Sequence, residues 1–191
     1  MQPLRAGEKL TPRPSGREDA KPGNLAGSDL PYLTADIPGT GGVIRAVPED
    51  FVVNEVPLYL PCGQGEHLYL RITKRGLSTP QLVSHLSSCL GVKARAIGVA
   101  GLKDARAVTS QLVSLHGVSP DVIARVRHEG ILSVEVLGRH RNRLRTGHHR
   151  GNTFRLVVRD VKPPAGEVVP AVLAQVSRRG VPNYFGPQRQ G

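Results

Sequence analysis

The sequence predicts an α+β fold in which helices accompany a mixed, mostly antiparallel sheet. Runs of alternating apolar and polar residues recur along the chain, and this alternation is typical of half-buried strands. Between these runs lie apolar stripes of helical period that begin near Ser or Thr and end at Gly. Several strand-like runs follow one another without an intervening helix, which favours antiparallel neighbours.

The elements can be placed in order from Gly42 onward. Residues 43–57 alternate as a strand pair or a bent strand that is broken at Pro48. A strand over 67–74 precedes a helix with Ser78 or Thr79 as N-cap and Gly91 after its last turn. Further strands are predicted over 94–101, 107–115, 131–145 and 152–161, and further helices over 119–130 and 168–180.

Residues 1–40 have a different composition from the rest. They are rich in Pro, Gly and charge and show no hydrophobic period. We expect them to form a flexible N-terminal segment, with order beginning near Leu33 or later. Residues 41–191 then form the folded part.

The charge balance indicates the class of partner. The chain has a formal net charge of +11 and a sequence pI near 10.5. A domain this basic is expected to meet a polyanion, and counterion release favours nucleic acid over an anionic membrane surface. No apolar run approaches the roughly 20 residues that a membrane span requires.

Cysteine usage indicates a reduced, cytoplasmic setting. Cys62 and Cys89 stand far apart, so they predict neither a disulfide framework nor a zinc knuckle. No acidic residue or cysteine stands at ligand spacing from the histidines at 140, 148 and 149. A metal site is therefore not expected.

A basic run ends the predicted strand at 131–145. Arg139, Arg141, Arg143 and Arg145 occupy every second position, so in a strand they share one face. RNA phosphates fit such a face through bidentate contacts, and Arg150 extends it. An edge strand protected by charge against aggregation is the alternative.

A single carboxylate, Asp104, lies in a loop between two predicted strands. Lys103 is its neighbour and Arg106 follows two residues later, among small and apolar residues. A carboxylate held against cations in a partly dry loop stays ionised and can act as a nucleophile or a base. From these residues alone, a turn aspartate that caps its own backbone is the favoured interpretation.

The segment AGLKDARAVTSQ at 100–111 resembles the central motif of the TruD family of pseudouridine synthases, approximately AGxKDxxAxTxQ. PEDFVVNE at 48–55, GNTFRLVVR at 151–159 and VPNYFGPQRQG at 181–191 resemble further motifs of that family in the same order. The resemblance implies isomerisation of uridine to pseudouridine in tRNA, at position 13 in bacterial members, without a cofactor.

The resemblance also implies site residues. Asp104 falls on the catalytic aspartate, and Phe51 and Asn152 fall on positions that contact the target nucleotide. We add Phe154, because it lies one strand repeat from Asn152 and points to the same face. From the residues alone, burial in a core is the favoured interpretation of both phenylalanines, and Asn152 fits a turn after Gly151 equally well.

Two cations complete the expected substrate site. Arg45 stands where the family often has Lys, and Lys103 adjoins the catalytic aspartate. An ionised carboxylate suits three routes that the sequence leaves open: attack on the sugar, attack on the base, or removal of a sugar proton. An aromatic face would offset part of the cost of unstacking the uridine.

The resemblance carries an expectation about organisation. Family members continue past the last motif with an inserted second domain and then return to complete the catalytic sheet. We therefore expect 41–191 to be the N-terminal part of a catalytic domain, acting on tRNA as a monomer, and expect the chain to be weakly folded or inactive alone. A basic RNA-binding module without catalysis is the alternative.

Overall fold

The computed structural model describes residues 33–162 and 164–181. Eight strands, two α-helices and three 3₁₀ helices form this part of the chain. The strands are β1 Val43–Ile44, β2 Phe51–Pro57, β3 His67–Arg75, β4 Ile97–Val99, β5 Val108–His116, β6 Ile131–His140, β7 His149–Leu156 and β8 Val158–Arg159. The α-helices are α1 Thr79–Leu90 and α2 Ala165–Arg179, and the 3₁₀ helices are Pro48–Asp50, Ala94–Ala96 and Pro120–Arg125.

A six-stranded sheet organises these elements. Its strand order is β6-β3-β5-β2-β7, with β4 beside β5, while β1 and β8 form a separate two-stranded ladder. β2 runs parallel to β5, and the other pairs are antiparallel. The predicted α+β class with a mixed, mostly antiparallel sheet is confirmed.

The main core lies on one face of this sheet. Leu70, Ile72 and Val113 of β3 and β5 are fully buried, and α1 covers them with Leu82 and Leu86. Burial of such side chains contributes about 1.5–3 kcal/mol each. A smaller cluster covers the other face and contains Tyr69, Ala100, Leu112 and Leu144.

Helix α1 begins and ends where the sequence predicts. Ser78 is its N-cap and accepts the N–H of Gln81, whose side-chain oxygen accepts the Ser78 N–H at 2.9 Å. Gly91 follows the last turn with φ of 66°, the left-handed conformation that glycine adopts at low cost. These caps fix the start of α1 beside the loop after β4.

The helix predicted over 119–130 is largely wrong. The structure has a 3₁₀ helix over Pro120–Arg125, and residues 126–128 are irregular. Ser119 donates its hydroxyl to the Asp121 carboxylate and makes no side-chain cap. Without that cap and with few residues before β6, the segment closes only short i→i+3 turns.

The core face of the sheet changes character toward β2 and β7. Lys74 pairs with Thr109, Thr109 with Val53, and Val53 with Phe154, so these side chains share the face that carries Ile72. Beyond α1 this face therefore turns from aliphatic to polar and aromatic. That region holds the candidate site.

The chain divides into two compact units. Gly39–Val169 contains all eight described strands and α1. The other unit includes the described residues 33–38 and 170–181, where the Gln175 amide donates to the Leu33 carbonyl at 2.6 Å and to the Asp36 carboxylate at 3.2 Å. The predicted flexible segment 1–40 lies mostly outside the described residues, as does the motif at 182–191.

Candidate active site

Asp104 lies on a loop that joins β4 to β5, here called the Asp104 loop (residues 100–107). The carbonyl of Ala100 accepts the N–H of Gly147 at 2.8 Å. The N–H of Lys103 donates to the Thr79 hydroxyl at 2.9 Å. Both anchors lie on the N-terminal side of Asp104, whose side chain is left 54% exposed.

Arg45 faces Asp104 from the turn after β1. Its Nη2 lies 3.8 Å from Oδ2 of Asp104, and its guanidinium carbon lies 4.1 Å from the ring centroid of Phe51. The φ of Arg45 is 56°, an uncommon conformation for a residue with a side chain. Such conformations cluster at functional sites, where neighbouring contacts enforce them.

Two phenyl rings continue the surface beyond Arg45. The centroids of Phe51 and Phe154 are 6.0 Å apart, and their planes differ by 12°. Phe154 is 63% exposed although it is a large apolar residue in a strand. This exposed ring, stacked on a second ring that a guanidinium covers, offers a stacking surface for a planar ligand.

Several polar atoms on the same face are buried without a protein partner. Asn152 is paired with Glu55 across β2 and β7, and its Oδ1 has no hydrogen-bond partner among the described residues. Buried polar atoms nearly always bond to protein, water or ligand, so this group indicates bound water or a ligand. The other unpartnered atoms of this region are Thr109 Oγ1, Gln111 Nε2 and His149 Nδ1.

A buried ion pair lies beneath the Asp104 loop. The Nζ of Lys103 is 2.8 Å from Oε2 of Glu55, and these side chains are 4% and 1% exposed. The other Glu55 oxygen accepts the N–H of Leu112 at 3.0 Å. Lys103 therefore directs its ammonium to Glu55 and not to the adjacent Asp104 carboxylate, and its expected contact with substrate stays a prediction.

A second buried amine adds positive charge under the site. Lys74 is fully buried and donates to the Leu77 carbonyl. The pKa of Lys74 is lowered to about 8, chiefly by burial and also by the charge of Lys103, while the Asp104 carboxylate opposes both effects. Asp104 thus lies within electrostatic range of Lys74, Lys103 and Arg45.

Asp50 fixes the segment that carries Arg45 and Phe51. Both of its oxygens accept hydrogen bonds from Arg159 at 2.7–3.0 Å, and Oδ2 also accepts the Val47 N–H at 3.2 Å. The Arg159 hydrogen bonds are the largest cause of the lowered pKa of Asp50. Asp50 of the PEDF motif thus has a structural partner.

The predicted strand of four aligned arginines is wrong. β6 ends at His140, which pairs with His67, the first residue of β3. Beyond that point β6 has no partner strand, and the chain continues as a loop over residues 141–148, here called the arginine loop. Leu144, at the centre of the run, is 2% exposed and packs with Tyr69.

The arginines consequently point in different directions. Arg139 donates to the Val118 carbonyl at 3.3 Å, and Arg143 donates to the Ile97 carbonyl at 2.6 Å. Arg150 lies in β7 and is exposed. A cleft of about 440 Å³ is lined by His67, Arg141, Asn142, Arg143, Arg145 and His148.

The structure brings together most of the predicted site. Contacts link Asp104 to Arg45, Arg45 to Phe51, and Phe51 to Phe154, and Asn152 shares their sheet face. Sequence reasoning missed the supporting residues Glu55, Thr79, Gln111 and Lys74. The period-two alternation of β2 could have found Glu55, since it places that residue on the face of Phe51.

The part of the chain that the structure describes contains neither a metal-ligand cluster nor a membrane-spanning helix. Across 33–162 and 164–181, no three His, Cys, Asp or Glu side chains group in a way that could hold a metal ion. Neither described α-helix has the length and apolar character needed to cross a membrane.

Comparisons with known proteins agree on one family. The family model described as tRNA pseudouridine synthase D (TruD) matches residues 28–191. The chain is 51% identical over 162 residues to a tRNA pseudouridine synthase D from Geobacter metallireducens, covering 84% of this chain and 39% of that protein. The namesake from Thermus thermophilus is 47% identical over 163 residues, covering 84% and 45%.

A solved structure shows the same likeness in three dimensions. A crystal structure from Methanosarcina mazei, whose description names tRNA pseudouridine synthase D (TruD), matches with a TM-score of 0.79 and 34% identity. The match covers 85% of this chain and 38% of that one. The chain spans about 40% of the length of the first curated relatives it matches.

Proposed function

Because the chain belongs to the TruD family of tRNA pseudouridine synthases, we propose that it carries the catalytic aspartate for isomerising uridine to pseudouridine in tRNA, at position 13. The observation that carries this proposal is the placement of Asp104. Its carboxylate is half exposed and lies 3.8 Å from the Arg45 guanidinium, which also covers the ring of Phe51 that stacks on Phe154.

The geometry suits a flipped-out nucleoside. The reaction breaks the bond between C1′ and N1, turns the uracil, and joins C1′ to C5, whose proton is then released. The free-energy cost of unstacking the uridine can be offset by stacking on an exposed ring such as Phe154, which contributes roughly 1–3 kcal/mol per base. Asn152 can read the uracil edge, because an amide both donates and accepts.

Asp104 supplies the only chemistry that all routes share. Attack on the sugar, attack on the base and removal of a sugar proton each need an ionised carboxylate. The Arg45 guanidinium lies 3.8 Å from the Asp104 carboxylate and also covers one face of Phe51. The proposed reaction uses no cofactor.

RNA binding by the arginines is part of the same proposal. Arg141, Arg143 and Arg145 line the cleft beside the arginine loop, and Arg139 and Arg150 flank it in sequence. Guanidinium groups bind phosphate oxygens bidentately. We expect these residues to contact the tRNA backbone, and we expect a monomer that acts in the cytoplasm.

The test is Asp104→Asn in a completed polypeptide, in which this chain is joined to the remaining part of a curated relative. The change keeps the side-chain shape and removes its charge. We expect pseudouridine formation, detected by carbodiimide labelling of tRNA, to fall by at least about a hundredfold. tRNA binding in a gel-shift assay should stay within about threefold of the parent. Asp121→Asn, on the 3₁₀ helix Pro120–Arg125, is the matched control and should change neither quantity.

Undiminished labelling by the Asp104→Asn variant would remove Asp104 from the mechanism. The parent also decides between the two classes of function. An RNA-binding module without catalysis would retain tRNA in the gel-shift assay and produce no labelled uridine at all.

A further inference from the structure

The buried pair of Glu55 and Lys103 is the strongest feature that the proposed chemistry does not use. Both side chains are almost fully removed from water, and their charged atoms are 2.8 Å apart. Desolvation of two charges often outweighs their mutual attraction, so burial of an ion pair is weak evidence for a stabilising role. One member of the pair, Lys103, directly precedes Asp104, so the pair is placed to act on the active site.

Glu55 is bound to the sheet through one of its oxygens. β5 pairs with β2 up to Ser110 and with β4 from Val113, so the Leu112 N–H lies between two partner strands. Oε1 of Glu55 accepts that N–H at 3.0 Å. The carboxylate thus completes the hydrogen bonding of β5, which fixes its place on a rigid element.

Lys103 is bound at both its backbone and its side chain. Its N–H donates to the hydroxyl of Thr79, which is buried at the start of α1 and in turn donates to Oε1 of Gln111 at 2.9 Å. Its ammonium binds the second oxygen of Glu55. Two separated anchors on one residue fix both the place and the orientation of the backbone at that residue.

Asp104 is held far less firmly by its own contacts. Its side chain is 54% exposed, and its ion pair with Arg45 is long, at 3.8 Å. Consecutive Cα atoms are about 3.8 Å apart, so a fixed Lys103 restricts where the Asp104 carboxylate can reach. We propose that Glu55 is a positioning residue which, through its ion pair with Lys103, sets the place of the Asp104 carboxylate in the active site.

This inference rests on the proposed function and makes a separate prediction about the loop. Glu55→Gln keeps the length of the side chain and an oxygen for the Leu112 N–H, and it removes the charge that binds Lys103. In the completed polypeptide we expect kcat to fall at least about tenfold, because small misplacements of a reacting group cost up to a hundredfold. KM for tRNA should change less than about threefold, since Glu55 is buried away from the RNA.

A double-mutant cycle tests whether the pair acts as a unit. Lys103→Met should reduce kcat to a similar extent, and the double variant should be no slower than the slower single variant, because the second change finds the interaction already broken. Glu49→Gln removes the exposed ion pair of Glu49 with Arg75, 3.0 Å apart, and is the matched control that should keep the parental kcat. Leu86→Ala controls for lost stability, since it removes a buried side chain of α1.

Amide hydrogen exchange supplies a readout that does not depend on turnover. Glu55→Gln should raise exchange in a peptide covering 101–107 at least about tenfold and leave α1 protected, whereas Leu86→Ala should raise exchange in α1. An unchanged kcat in both single variants, or unchanged exchange of the Asp104 loop, would overturn the positioning role. An inactive parent would overturn the proposed function, and the exchange of the loop would still decide whether Glu55 holds it.

Discussion

Phe154 exposes most of its ring, although a phenyl group on a strand usually lies in a core. Replacing it by Ala removes a side chain that is 63% exposed, so the unfolding free energy should fall by less than about 1 kcal/mol. If the ring stacks on the flipped uracil, transition-state binding should weaken by roughly 1–3 kcal/mol, or about 5- to 150-fold in kcat/KM. Single-turnover kinetics of the completed polypeptide and its urea midpoint provide the two measurements.

Leu156→Ala is the matched control for Phe154→Ala. Leu156 lies two residues further along β7, on the same face, and is 47% exposed. Its loss should reduce kcat/KM by less than about threefold, because it offers no aromatic surface. Equal losses in the two variants would show that exposed apolar area, and not stacking, matters at this edge.

At the residue scale, the sequence was most informative where a side chain follows a strand period. Alternation places Phe51 on one face of β2, and the family resemblance supplies the roles of Asp104 and Asn152. The direction of Lys103 could not be read in the same way. It lies in a loop without a period, and its partner Glu55 is 48 residues away in sequence, so only folding brings the two charges together.

Strand β3 carries a buried amine, which makes the free energy of unfolding depend on pH. The ordinary pKa of lysine is 10.5, and in the folded protein the pKa of Lys74 is lowered to about 8, chiefly by burial. Between these values the unfolded chain binds more protons than the folded one, so the unfolding free energy rises with pH across that window. Each pKa unit corresponds to about 1.4 kcal/mol, so the contribution is on the order of 3–4 kcal/mol.

Lys74→Met isolates this contribution of β3. The variant keeps the length of the side chain and has no proton to exchange, so its stability relative to the parent should decline from pH 7 to pH 9.5. Urea midpoints of the completed polypeptide at both pH values measure the difference. Arg71→Met, an exposed residue of the same strand, should show no such trend, and a parallel pH response of Lys74→Met and the parent would contradict the assignment.

At the element scale, prediction failed where a period was extended past its partner strand. The alternating arginines imitate a strand, but hydrogen bonding to β3 ends at the pair of His67 and His140. Leu144 then turns inward and interrupts the basic face. By contrast, α1 was located within a residue or two, because its Ser78 and Gly91 caps are local signals that need no distant partner.

The whole molecule is strongly basic, so its RNA affinity should depend on salt. We expect the 191-residue chain alone to bind tRNA and to form no pseudouridine, since it spans about 40% of the length of its relatives. Three phosphate contacts from Arg141, Arg143 and Arg145 predict a slope near −2 in log affinity against log salt, or roughly a 20-fold loss between 50 and 200 mM.

Substitutions in the arginine loop test that salt dependence. Changing Arg141, Arg143 and Arg145 together to Gln should flatten the slope, whereas Arg125→Gln and Arg127→Gln, exposed near the 3₁₀ helix before β6, should leave it steep. An unchanged slope in the first variant would place the RNA backbone elsewhere. Full pseudouridylation by the isolated chain would contradict the expectation that it is inactive alone.

The fold class could be predicted for the whole molecule because the periods of strands and helices can be recognised within short segments of sequence. The parallel pairing of β2 with β5 could not, since it depends on which strands become neighbours after more than 50 intervening residues. The polar end of the sheet face was equally hidden. It is formed by residues from different elements, and their role is visible only once folding brings them together: Thr79, Gln111, Lys74 and Glu55.

At Leu112 the Glu55 carboxylate takes the hydrogen-bonding place of a partner strand. This contact limits how the length of β2 can vary. A single-residue insertion before Glu55 within β2 would shift the strand by one position and turn Phe51 and Val53 toward the opposite layer. A two-residue insertion would restore their orientation but carry Glu55 out of reach of the amide. Natural length variation should therefore accumulate in the connection between β2 and β3, where neither constraint applies.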